Sequence, residues 1–173
     1  MNSPRETTLA KNNIPAALVE TRITVQPEWV DYNGHMNLAY YVLAFDQATD
    51  NFYDSMAIGL DYRARENSSM FTLGINVDYM REVFADDQIR ITTQMLACDD
   101  KRMRYIHYMY EGESTSPVAV NECLAVHVDM GKRKSAPFPT ETLRRISRTL
   151  EEHSRLTTPV HAGRVLGEKL KTP

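Results

Sequence analysis

The chain is poor in cysteine and has no long apolar run. Its two cysteines, Cys98 and Cys123, fall in expected strands, and there is no CxxC pair or Cys/His cluster. That excludes a disulfide framework and a thiolate metal site. Two free, buried thiols in a reducing compartment are expected instead. No apolar stretch approaches the ~20 residues that would span a bilayer. Residues Met1 to Lys11 lack the charged-then-apolar layout of a secretory leader, so a cytoplasmic location is expected. Cations are not in excess, and a formal net charge of -3 offers no electrostatic case for nucleic acid. Internal repeats and low-complexity segments are also missing. What is present is ordinary for a soluble globular domain: 173 residues, 42% hydrophobic and 25% charged. This suggests one domain with room for a real core.

Residues 1–20 are polar without a period and read as a flexible arm. Ile23 and Val25 alternate with Thr24 and Gln26, which predicts a first strand over 21–26 that Pro27 ends. From Leu38 to about Ile58 the apolar residues Leu38, Tyr41, Val42, Phe45, Ala48, Phe52 and Met56 step by three and four, which is helical spacing. Asn37 suits the N-cap and Gly59 the C-terminal stop. Asp46, Asp50 and Asp54 recur every four residues on this helix. Like charges so spaced read as a solvated face, not a metal row.

Downstream to Asp129 the chain is strand-like. Phe71, Leu73, Ile75, Val77 and Tyr79 alternate with Thr72, Gly74, Asn76 and Asp78, as in a half-buried strand. Strands over 88–97, 103–111 and 118–129 follow, separated by turn-like segments, and short connections favour an antiparallel meander. Thr140 is placed to cap a last helix carrying Leu143, Ile146 and Leu150. Residues 21–156 therefore form one α+β domain, and 157–173 an irregular tail. A single long helix covers only one face of such a sheet, so self-association is expected to cover the rest.

The segment Asp31-Tyr32-Asn33-Gly34-His35-Met36-Asn37 concentrates the chemistry. A carboxylate, a carboxamide and an imidazole surround one glycine just before the helix. The carboxylate can activate water or attack directly. The first helical N–H groups, such as that of Leu38 beside Asn37, can polarise a carbonyl as an oxyanion hole. Gly34 permits a tight turn or close approach of a ligand. Asn33 suits either orientation of water or an Asx turn. His35 could hydrogen-bond Asp31, tune it, or protonate a leaving group. Arg81 and Glu82, after the cleanest strand, could pair near the site. His107, and His127 with Asp129 on the same strand face at i, i+2, have no third ligand at a recognisable spacing, so they read as satisfied structural residues. No metal or redox cofactor is implied.

Strand, Asp-loop, long helix and meander together resemble the hotdog-fold thioesterases. The loop is similar to that of the 4-hydroxybenzoyl-CoA thioesterase branch and to the Asp-x-Asn-x-His-x-Asn pattern of plant acyl-carrier thioesterases. Trp29-Val30-Asp31-Tyr32-Asn33-Gly34-His35, Ala48-Thr49-Asp50, Ile58-Gly59-Leu60-Asp61, Phe71-Thr72-Leu73, Asp99 with Lys101-Arg102, and His127-Val128-Asp129 are closer still to the betainyl-CoA thioesterases of bacterial carnitine breakdown. The resemblance covers about residues 21–140 and departs at Met36-Asn37-Leu38 and in the long arm. It implies a sheet wrapped around one central helix with an extra C-terminal helix, and hydrolysis of a small acyl-CoA, betainyl-CoA above all.

The resemblance further implies a homodimer or dimer of dimers with the site between subunits. Lys101 and Arg102 would contact CoA phosphates, although a solvated turn explains them as well. Trp29, Tyr32, Tyr40 and Tyr41 could hold a quaternary ammonium by cation–π attraction, or simply pack. Two other readings stay open: a hydratase or dehydratase acting on acyl thioesters, and a protein that binds acyl-CoA without turnover.

Overall fold

The computed structural model describes residues 18–166. The expected arm lies outside the described residues as far as residue 17, and so does the tail beyond residue 166. The elements run β1 (Val19–Thr24), a 3-10 turn (Pro27–Trp29), α1 (Leu38–Ser55), α2 (Leu60–Glu66), β2 (Ser68–Tyr79), β3 (Gln88–Cys98), β4 (Arg102–Glu111), β5 (Pro117–Asp129), β6 (Lys134–Ser135) and α3 (Thr140–Ser154). This is an α+β architecture in which an antiparallel sheet wraps around α1. Among the described residues no helix is long and apolar enough to cross a membrane.

The sheet order is β1-β3-β4-β5-β2, with β6 beside β5. Strands β3, β4 and β5 form the expected meander, but β2 does not join it in sequence. It crosses to the far edge and, among the described residues, pairs with β5 alone, from Ser68↔Asp129 to Tyr79↔Ala119. A bulge between Thr72 and Gly74 inserts Leu73 and reverses which residues face inward. Met70 packs inward before it and Val77 after it. The alternation Phe71 to Tyr79 is therefore not one buried face. Phe71, Leu73, Ile75 and Tyr79 are 38%, 58%, 46% and 47% exposed.

Helix α1 buries Tyr41, Ala44, Phe45, Ala48, Thr49, Phe52 and Tyr53 and leaves Asp46, Asp50 and Asp54 exposed as a solvated row. Burial and then the flanking Asp46 and Asp54 raise the pKa of Asp50. The N-terminal half of α1 packs on Ile89, Ile91 and Met109. Its C-terminal half packs on Met95, Met103 and Tyr105, and Phe138 and Ile146 close that cluster. Each fully buried side chain of this kind contributes about 1.5–3 kcal/mol.

Helix α1 ends earlier than its period suggested. Ala57 takes the left-handed conformation at φ 56°, and Gly59 instead precedes α2. A Cβ on Gly59 would lie 1.8 Å from the Asp54 carboxylate, an exposed side-chain end that can turn away. Helix α2 lies where only strand was expected. Its buried Tyr62 hydroxyl meets His127 Nε2 at 2.9 Å. Thr140 begins α3 as its first helical residue, and Pro139 occupies the cap position.

Two further expectations need correction. Val19 and Glu20 belong to β1, not to an arm. The described part of the tail is tied across the outer face of the sheet. Tyr108 Oη meets His161 Nδ1 at 2.9 Å, Gly163 N–H donates to Glu122 at 2.6 Å, and Asn76 Nδ2 donates to Arg164 O at 2.8 Å. The Arg164 guanidinium also pairs with Asp78. Both cysteines are free. Burial pushes the thiol pKa of Cys98 up to about 11 and that of Cys123 up to about 12, although Cys98 is only half-buried.

Candidate active site

The loop between the 3-10 turn and α1 closes on itself as a small hairpin. Gly34 N–H donates to Asp31 O at 2.9 Å and Asp31 N–H to His35 O at 3.2 Å, while Val30 and Met36 form a bridge. Gly34 has φ 84°, which a side chain would resist. The hairpin is pinned on both sides. Met36 N–H donates to Val83 O at 2.7 Å and Asn37 N–H to Trp29 O at 2.9 Å.

Within this frame both Asp31 oxygens are held. Oδ1 accepts from Asn33 N–H at 2.8 Å, and Oδ2 accepts from Asn37 Nδ2 at 3.0 Å. The Asn33 amide, followed by the Asn37 donor and nearby His35, lowers the Asp31 pKa below the usual carboxylate range. Asn37 also caps α1, its Oδ1 accepting from Ala39 N–H at 3.0 Å. One carboxamide thus ties the carboxylate to the first helical turn. Leu38 is the first helical residue, and its N–H has no acceptor within the helix. The cap, the free amide and the positive end of the helix dipole meet a few ångströms from Asp31.

The other residues singled out from the sequence divide into three groups. His35 lies beside Asp31 but does not bond to it. Its Nδ1 faces Met36 O at 3.3 Å, and its Nε2 lies 3.8 Å from Glu82. Glu82 therefore faces His35, not Arg81. Arg81 sends its guanidinium to Ser116 O at 2.7 Å and to Ser114 Oγ at 3.5 Å.

The aromatic residues do not form one cage. Trp29 and Tyr40 stack on each other at 5.5 Å, Tyr32 stands 97% exposed at the loop tip, and Tyr41 meets Tyr79 edge to face at 5.2 Å. A cleft of about 260 Å³ opens beside the helix start, lined by His35, Leu38, Tyr41, Tyr79, Met80 and Glu82 among others. Tyr79 and Met80 were not singled out from the sequence. Tyr79 stood in an alternating run that read as core.

Lys101 ends the β3–β4 turn and Arg102 is the first residue of β4, both at the far end of the sheet from the loop. Strand β3 begins next to the loop, where Asp87 O accepts from Val25 N–H, and runs 11 residues away from it, roughly 33 Å. Both Arg102 Nε and Nη2 bond Asp99 Oδ2 at 2.7 Å. Asp99 also accepts the N–H groups of Lys101 and Arg102. These bonds, the Lys101 amide foremost, hold the Asp99 pKa down to about 2.

The histidines of the sheet are structural. His107 is fully buried between Thr49 Oγ1 at 3.0 Å and Thr93 Oγ1 at 2.8 Å, and burial lowers its pKa to about 3. His127 Nδ1–H donates to Ala136 O at 2.9 Å, while Asp129 closes the following turn by accepting from Gly131 and Lys132. Among the described residues no group of His, Cys, Asp and Glu side chains could hold a metal ion.

Comparison with known proteins follows the same lines. The family profile of the thioesterase-like superfamily matches residues 25–146. A betainyl-CoA thioesterase of Pseudomonas aeruginosa is 39% identical over 145 residues, which is 83% of this chain and 90% of that protein. A Pseudomonas putida structure described as a candidate thioesterase superposes with TM-score 0.73 at 34% identity, over 93% of this chain and 99% of that one. A Staphylococcus aureus protein solved in complex with CoA superposes with TM-score 0.78 at 24% identity, over 90% and 96% of the two chains.

Proposed function

We propose, from the premise that the chain belongs to the thioesterase-like superfamily, that it hydrolyses a small acyl-CoA and that its substrate is betainyl-CoA, released as glycine betaine and CoA. The observation that carries thioester hydrolysis is the Asn37 link between an ionised Asp31 and the first turn of α1. It joins an attacking group to a carbonyl-polarising one. The substrate assignment rests on the 39% identity to the Pseudomonas aeruginosa enzyme.

In the proposed reaction the thioester carbonyl lies at the start of α1, where the Leu38 N–H donates to the developing oxyanion. Asp31 deprotonates a water that attacks the carbonyl carbon, or attacks it directly to form a mixed anhydride that water then opens. Asn33, exposed on the same loop, orients the water. Collapse of the tetrahedral intermediate breaks the C–S bond, and the proton taken from water goes to the CoA thiolate. No metal or redox group enters these steps.

The site is completed by a second copy of the chain. Strand β2 is a 12-residue edge with four large apolar side chains exposed, a template for pairing with another strand. Antiparallel pairing of β2 with its own copy reverses the direction of the partner. It brings the partner's Lys101 and Arg102 end toward this loop, where they contact CoA phosphates.

Thiol release from a panel of acyl-CoAs tests the reading. Release from betainyl-CoA, and a drop in kcat of at least about a hundredfold in a folded Asp31→Asn variant, are expected. Tight binding of CoA esters without thiol release would make the protein a sensor. Water addition to an enoyl-CoA with no thiol released would make it a hydratase.

A further inference from the structure

We infer that the cleft formed by Tyr41, Tyr79, Met80 and Glu82 is the subsite for a quaternary ammonium group on the acyl moiety. The inference rests on the betainyl-CoA reading and deepens it. A trimethylammonium has no N–H to donate, so it is recognised by aromatic faces and a nearby carboxylate, not by hydrogen bonds. This cleft supplies both. Tyr41 and Tyr79 meet at an interplanar angle of 83°; Tyr41 is buried and backs the cleft, while Tyr79, 47% exposed, carries the aromatic surface that a cation can reach. Met80 adds a polarisable wall.

Glu82 supplies the charge. Among the described residues the one basic side chain within 4.0 Å of its carboxylate is His35, at 3.8 Å. Arg81 also lines the cleft, but its guanidinium is directed to Ser116 O and Ser114 Oγ, and among the described residues it forms no ion pair with Glu82. Tyr41 Oη donates to Arg81 O at 3.2 Å, which fixes that ring against the end of β2.

Two alternatives on the same chain fit less well. Trp29 and Tyr40 lie parallel at 10° and cover each other, while Tyr32 projects alone from the loop tip. The row Asp46, Asp50 and Asp54 has charge, but it begins eight residues along α1 from Leu38, about 12 Å away. In a betainyl thioester the nitrogen is only two bonds from the carbonyl carbon. The cation must therefore lie next to the group that polarises the carbonyl, and the cleft borders Leu38 itself. At about 260 Å³ it is ample for one trimethylammonium group.

The test compares kcat/KM for betainyl-CoA with that for 3,3-dimethylbutanoyl-CoA, in which a neutral carbon replaces the nitrogen. The parent protein is expected to prefer the cation. Glu82→Gln and Tyr79→Leu each lower the betainyl-to-neutral ratio, on the order of fivefold to tenfold, and Tyr79→Phe keeps it near the parent value. Glu82 and Tyr79 are both well exposed; because Tyr79 lies on the edge strand proposed to pair with a second copy, circular dichroism and light scattering check that the variants fold and assemble as the parent does. A parental preference that survives both Glu82→Gln and Tyr79→Leu overturns the subsite alone. So does a ratio that falls in Asp50→Asn instead. A parent protein with no preference for the cation overturns the betainyl-CoA reading, and the subsite with it.

Discussion

Asn37 has more to do than end a loop. Its carboxamide accepts from Ala39 N–H and donates to Asp31, so helix start and carboxylate move as one unit. Truncating such a cap usually costs about 1 kcal/mol of stability, which would mask any effect on Asp31. Asn37→Ser separates the two roles, because serine still caps but is too short to bridge. The expected outcome is near-parental thermal unfolding with a reduced kcat. The acid limb of the rate profile should also move to higher pH. The sign follows from Asp31, whose pKa is lowered partly by the Asn37 donor. Without that donor the carboxylate protonates at a higher pH, and activity begins to fall sooner on acidification. An unchanged limb would confine Asn37 to capping. At this scale Asp31, Asn37 and Gly34 were legible from residue type and spacing. The pairing of His35 with Glu82 was not, because the two come from segments 47 positions apart and only the fold brings them together.

Among the elements, β2 departs most from what its sequence suggested. Strict alternation from Phe71 to Tyr79 promised a half-buried strand, and the bulge at Leu73 undid that promise. A period of two predicts burial only where the pleat is unbroken and both neighbours exist. Helix α2 was missed for a related reason. Seven residues are too few to show a helical period, and the helix is held by tertiary contacts such as Tyr62 with His127. Helix α1, with 18 residues, was readable almost to its last turn. The exposed edge gives a prediction of its own. Leu73→Lys with Ile75→Lys places two charges on β2, and light scattering should report a smaller species than the parent. Hydrolysis of CoA esters should fall with it if the second copy completes the site. A parental size would place the self-association surface elsewhere.

For the whole molecule, the decisive fact is the length of the sheet. The loop and the β3–β4 turn occupy opposite ends of β3, so one chain cannot place Asp31 and Arg102 on the same ligand by a short reach. Replacing Lys101 and Arg102 by Ala should raise KM for CoA esters and spare short thioesters lacking the nucleotide. Equal losses on both would argue against phosphate contact. Mixing this double variant with Asp31→Asn should restore part of the activity, because a mixed pair contains one site with both functions intact. Residue type and spacing singled out Asp31 and the Lys101–Arg102 pair separately. The distance between them depends on strand order, which alternation does not encode.

The ties between the tail and the outer face also bear on how the chain reaches this state. Arg164 joins Asn76 and Asp78, and Gly163 joins Glu122. These contacts close loops of some forty to ninety residues, so they form late and add little to an early nucleus. On a ribosome, where residues are added in order, β2 and β5 emerge long before residues 161–164. Until those residues follow, Tyr108, Asn76 and Glu122 lack the partners that tie down the outer face, and the nascent sheet is open to capture by chaperones for that interval.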